Sequence, residues 1–168
     1  MILRCTQKLL EASGSKPEEV EIEPEGLLGE WYANTVALPF RGRSVVMFTS
    51  ASTLLTVVAP GKVLRTTVPV FRERLPALLH RIGLPAEWVA RQRIGLDEVR
   101  VTKTRDRHVL GCMNDLAYML QIHTEDDHSF DRIDWDGLEN RLSRNLLSYQ
   151  GYEPADRRLY RLAHGDHA

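Results

Sequence analysis

The densest run of chemistry-bearing side chains is TKTRDRHVLGCMNDLAY, residues 102–118. Lys103, Arg105, Arg107 and His108 precede or open an apolar, helix-forming stretch, and Asn114 and Asp115 fall in its first turns. Cations at a helix start, together with the free N–H groups there, suit an anion. A second chemistry is open to the same run: His108 as general base, with Asp115 as the acid that orients it and Asn114 beside them, would make a small enzyme. Asn and Asp are poor helix-interior residues because they compete for backbone hydrogen bonds. The plainer reading makes Asn114 and Asp115 a structural clamp. Flanked by Cys112, Met113 and Leu116, at least one of them is then expected to be buried, with partners among residues 100–107 or at Trp31 or Asn34.

Two other groups of residues carry weaker signals. Residues 70–94 read as two helices joined by a Gly-containing turn, with Arg91, Gln92 and Arg93 where a recognition helix would meet phosphates or base edges. The same arrangement is a common packing unit, with Trp88 and Val89 as its core. Farther on, His123, Glu125, Asp126, Asp127, His128, Asp131, Asp134 and Asp136 are metal-ligand types, but the two histidines are five apart and off one helix face. Negative charge before a helix start is favourable in itself. We therefore assign no metal. The chain lacks G-x-x-x-x-G-K-[ST], G-x-G-x-x-G and G-x-S-x-G, so no cofactor is expected. Cys5 and Cys112 have no partner at metal-ligand spacing, and two lone thiols fit a reducing cytoplasm.

Short strands and helices must position these groups. Ile2, Leu3 and Cys5 predict a strand near 2–5, followed by a helical turn behind Thr6. Residues 13–30 hold six glutamates with Gly14, Pro17, Pro24, Gly26 and Gly29, and read as an exposed acidic loop. The β-rich runs 31–38 and 44–49, joined across Gly42, predict an antiparallel hairpin over 31–49. Residues 53–58 are ambiguous, and an N-cap at Ser50 or Ser52 with a stop at Pro60-Gly61 favours a helix. Residues 70–82 read as a helix with Pro69 in its first turn and Pro76 at a kink, 88–95 as a short second helix, and 98–104 as a strand. The stripe of Val109, Cys112, Met113, Leu116, Met119 and Leu120 predicts a central helix over 107–122, on which the hairpin packs. Asp134 caps a last long helix that runs toward Gly151.

The fold class that follows is α+β: a small, mainly antiparallel sheet, made of hairpin 31–49 plus strands near 2–5 and 98–104, packed against several helices. With 168 residues, 43% of them hydrophobic, the chain reads as one domain over 1–150 with a charged C-terminal tail over 151–168. No apolar run approaches the length that spans a bilayer, so no membrane partner is expected and the setting reads as cytoplasmic. The net charge of -1 conceals blocks of -2, +6 and -5 over residues 1–60, 61–110 and 111–168. A basic centre of this kind either faces an anionic partner or is neutralised by its own acidic flanks.

Several stretches also share an order with a known family. The opening ILRCTQKLL, the hairpin LGEWYAN with VVMFTSASTL, the VAPG turn, and the block VLGCMNDL (Val109 to Leu116) resemble, in sequence, a family of small bacterial proteins known as a domain of unknown function. The resemblance spans residues 1–125. This chain departs from it in placing Arg105-Asp106-Arg107-His108 where amide residues are expected, and in its long acidic insert before Trp31. The resemblance implies no activity, and its motif residues Trp31 and Asn34 join Lys103, Arg105 and Arg107 as binding candidates. The function expected is a binding or interaction module for nucleic acid or a protein partner, with the small enzyme as the alternative.

Overall fold

The opening run Ile2–Cys5 forms strand β1, and two later strands pair with it, one on each side. The structure, a computed structural model, describes residues 1–19, 28–147, 151 and 153–164. Strands β2 (Trp31–Ala37) and β3 (Ser44–Ser50) make the predicted hairpin, in register from Trp31 opposite Ser50 to Ala37 opposite Ser44. β4 (Thr56–Pro60) pairs antiparallel with β3, while β5 (Arg100–Lys103) runs parallel to β1, so the sheet order is β4-β3-β2-β1-β5. β1 is also parallel to β2. The sheet is thus open and mixed, and β3 alone runs against the other strands.

Strand side chains alternate between two faces, and helices cover both. On one face, α1 (Gln7–Ser13), α2 (Leu64–Ile82), α3 (Ala86–Ile94) and α6 (Ala155–His164) pack on Leu3, Cys5, Trp31, Ala33, Phe48 and Val57. On the other, α4 (Arg107–Glu125) and α5 (Trp135–Ser143) pack on Tyr32, Val36, Val45, Met47 and Val58. The class is α+β, and the hairpin does rest on the central helix α4 through Val109, Met113, Leu116 and Leu120. Among the described residues, no helix is long and apolar enough to cross a membrane.

Five local expectations are corrected. Residues 53–58 are not helical: the Ser50 hydroxyl accepts the Thr53 amide as an N-cap would, but Leu54 takes φ 60° and turns the chain into β4. Helix α2 begins six residues before Val70, so Pro69 and Pro76 both lie inside it. The buried stripe Leu64, Thr67, Phe71, Leu75 and Leu78 holds it together in spite of the two missing N–H donors. Helix α5 starts behind Asp134 as expected, its carboxylate accepting the Gly137 amide, but stops at Ser143; residues 148–150 lie outside the described residues. Beyond Gly151 the segment read as a tail contains α6, whose Ala155 and Leu159 are buried. The acidic stretch 13–30 is exposed at Glu18 and Glu19 but buried at Leu28 and Glu30, and its residues 20–27 lie outside the described residues.

The basic centre meets the acidic C-terminal block at the β4 edge. Glu139 on α5 is fully buried, and its Oε1 accepts the outward N–H of Val58 and Nε of Arg74, each at 3.0 Å. Its Oε2 accepts Nη2 of Arg74 at 3.0 Å and Nη2 of Arg81 at 2.7 Å. Burial pushes the Glu139 carboxyl upward, and the Arg74 fork, the Val58 amide and Arg81 offset that push only in part. Asp136 pairs with the same two arginines. Two cations of the basic centre are in this way paired with the acidic C-terminal block.

Candidate functional site

Arg4 is a charged residue in an otherwise apolar strand, and only 4% of it is exposed. In register it lies between Tyr32 on β2 and Thr102 on β5, so three polar side chains make one row across three parallel strands. Glu30, one residue ahead of β2, is 6% exposed and pairs with Arg4 through Nε. The same carboxylate accepts the Tyr32 hydroxyl at 3.2 Å and both Nε and Nη2 of Arg105 at 3.3 Å. Glu30 is therefore saturated with donors, which is what a buried carboxylate requires.

Arg4 is not saturated. Its Nη1 donates to Thr102 Oγ1 at 3.3 Å and to the Lys103 carbonyl at 3.2 Å, but its Nη2 is buried with no hydrogen-bond partner among the described residues. Among the described residues two guanidinium groups face one carboxylate, which gives these three side chains a net positive charge. Arg105 is its outer member, with 61% of its side chain exposed.

Topology explains why these groups meet. After β1 the chain enters α1 on one face of the sheet, whereas after the adjacent β5 it enters α4 on the opposite face. Such a reversal opens a crevice outside the carboxyl ends of parallel strands, where open α/β sheets hold ligands. The turn from β5 to α4 is fixed by Asp106, whose Oδ1 accepts the amides of His108 at 2.8 Å and Val109 at 3.4 Å. The Asp106 amide in turn donates to the Tyr32 hydroxyl at 3.2 Å. Burial first, and the Glu30 charge next, hold the Tyr32 phenol above its ordinary range, so near neutral pH it keeps its proton and donates.

Of the residues singled out from sequence, Arg105 belongs to this cluster through its side chain and Lys103 through its backbone carbonyl, with the Lys103 side chain exposed. Arg107 is exposed at the first position of α4. Asn34 is half-buried, its Oδ1 accepting the Thr6 hydroxyl at 3.0 Å. Trp31 lies away from this surface: it is 2% exposed in the core, edge-on to Phe71 at 4.9 Å between ring centroids. Arg91 and Arg93 are exposed on α3 and Gln92 is half-buried; no hydrogen bond or ion pair among the described residues joins them to the Arg4 cluster.

The central motif is corrected twice. Asn114 and Asp115 are both exposed, because successive residues on a helix are about 100° apart and burial of Cys112, Met113 and Leu116 says nothing of their neighbours. Asp115 does not orient His108, since seven residues along one helix place them about 10 Å apart. Among the described residues no three His, Cys, Asp or Glu side chains gather as a metal-ligand set. Cys5 and Cys112 are free and buried, and burial pushes the Cys5 thiol up to about 12.

Sequence reasoning missed Arg4, Glu30, Tyr32 and Thr102. The signal was present in the motifs themselves: an arginine inside ILRC, and Glu-Trp-Tyr where a hairpin strand begins.

Fold and site together define an α+β domain with an open mixed sheet and a buried, positively charged cluster at its topological switch. The chain belongs to the family described as Domain of unknown function (DUF6933), whose sequence profile matches residues 2–158. The match runs past residue 125, through α5 and into α6. No curated protein and no solved structure matches the chain.

Proposed function

We propose that this protein is a binding module that takes an oxyanion, a phosphate or a carboxylate of its partner, at the ends of β1 and β5. The observation that carries the reading is the buried Nη2 of Arg4, which lacks a partner among the described residues and stands beside an exposed second guanidinium, Arg105. A buried cationic donor left unpaired is costly, and an incoming oxyanion supplies what it lacks. Lys103 and Arg107 stand exposed on either side of Arg105 in sequence and add attraction at the mouth. Arg105 turns outward from Glu30 to admit the ligand and closes on it as a second fork. A bacterial, cytoplasmic setting goes with this reading, supported by the two free thiols and the motif resemblance.

Calorimetric titration with inorganic phosphate and with acetate, at constant ionic strength, tests the site. Binding is expected for at least one of the two, weakened about tenfold in Arg105→Gln, which corresponds to about 1.4 kcal/mol. A single-stranded oligonucleotide and an acidic peptide then distinguish a nucleic-acid partner, whose affinity falls steeply with salt, from a protein partner. Absence of binding for both anions, or full affinity in Arg105→Gln, overturns the proposal.

A further inference from the structure

Apart from Arg107 at its start, the outward face of α4 has no role in the anion site, yet it carries the motif residues Gly111, Asn114 and Asp115. Projected around the helix, Arg107, Gly111, Asn114, Asp115, Tyr118 and Ile122 share one exposed arc, opposite the buried Val109, Cys112, Met113, Leu116 and Leu120. Tyr118 is 64% and Ile122 41% exposed, two of the four large hydrophobic side chains most open to solvent among the described residues. A Cβ on Gly111 would meet nothing within 4 Å, so this glycine relieves no crowding within the chain. In the middle of an exposed helix, Gly, Asn and Asp are weak helix formers that the fold itself does not require.

The charges along the arc indicate the occupant. Arg107 opens the helix and Glu125 closes it about 27 Å away. Both project along one line within the arc, both are exposed, and neither has an ion pair among the described residues. A face that is basic at one end and acidic at the other matches itself at both ends when two copies lie antiparallel about a two-fold axis, with the two Asp115 carboxylates at the solvent edge of the seam. We propose that a second copy of this chain docks there. With Arg107 opposite Glu125 of the other copy, the two Tyr118 rings meet beside the axis, and each Ile122 falls within one residue of Gly111 across the interface. The missing side chain at Gly111 is then the notch that lets the two helices approach.

Sedimentation velocity of the full chain over a range of concentrations tests the pairing. The wild type is expected to shift from monomer to dimer as concentration rises, with Tyr118→Ala weakening the dimer at least tenfold. Arg107→Glu and Glu125→Arg are each expected to stay monomeric, because each sets like charges opposite one another at both ends. Mixed in equal amounts, the two variants are expected to form a heterodimer, since both end pairs are then of opposite sign. All three positions are exposed, so unchanged thermal melting of each variant confirms that the fold is intact. A wild type that remains monomeric at millimolar concentration overturns the proposal. So does a dimer indifferent to the two charge reversals, or a mixture that fails to restore it.

Discussion

At the scale of single residues, Glu30 and Arg105 share an ion pair but differ in what each contributes. Among the described residues Glu30 is the sole carboxylate paired with the buried Arg4, whereas Arg105 reaches the same oxygens from solvent. Removing one partner of a buried pair leaves an uncompensated charge, so Glu30→Gln is expected to lower the free energy of unfolding by about 3–5 kcal/mol. Arg105→Gln removes only an exposed partner and is expected to change it by no more than about 1 kcal/mol. Urea unfolding of the two variants checks the contrast, and equal effects would show that Arg4 does not depend on Glu30. The sequence concealed this pair for a physical reason. Glu30 stands at the end of a run of glutamates, and composition treats all of them as solvated, whereas one residue later the chain becomes a strand and carries Glu30 inside. Arg105 was legible because it belongs to a local cluster of cations. Arg4 was not, because its partners are 26 and 98 positions away.

At the scale of elements, two readings that rested on local periodicity held. Hairpin β2–β3 and helix α4 were legible because alternation and a 3.6-residue stripe are properties of the element itself. The stretch 53–58 was misread because its outcome depends on Leu54 entering the left-handed region while its side chain, 2% exposed, fills the core under α4 and α5. The proline-bearing α2 was cut short for a similar reason, since tertiary burial of one face outweighs a local penalty. Glu139 shows how such elements are tied together, because one side chain on α5 satisfies the β4 edge and two arginines of α2. Glu139→Ala strands the Val58 amide and, among the described residues, leaves Arg74 with the exposed Asp136 and Arg81 with Asp136 and the Asn140 side-chain carbonyl. A loss of about 3–5 kcal/mol is expected by chemical denaturation. Glu139→Gln, which still accepts from Val58, is expected to lose less, and equal losses would make charge rather than edge capping the whole effect.

At the scale of the whole molecule, the balance of charge and the closure of the core both depend on the C-terminal third. Composition described residues 151–168 as a charged tail because α6 shows only a narrow apolar stripe among arginines. That stripe is what docks: Leu159 is fully buried with Ala155 against the core formed by α2, α3 and the sheet, and Ala163 packs beside them. Arg144 and Asp156 span from just after α5 to α6 at 3.4 Å. If the segment only trailed from a domain complete at residue 150, substitutions in α6 would leave stability untouched. With the docking seen here, Leu159→Ala removes a buried side chain whose surroundings collapse only in part, and a loss of about 2–5 kcal/mol is expected. Tyr160, the next residue, is 49% exposed, and Tyr160→Ala is expected to stay within about 0.5 kcal/mol of the wild type. Thermal and urea unfolding of the pair measure the difference directly. A neutral Leu159→Ala would return α6 to the status of a tail, whereas a large loss at Leu159 alone makes it the last layer of the fold, placed over a sheet whose first strand is the opening of the chain.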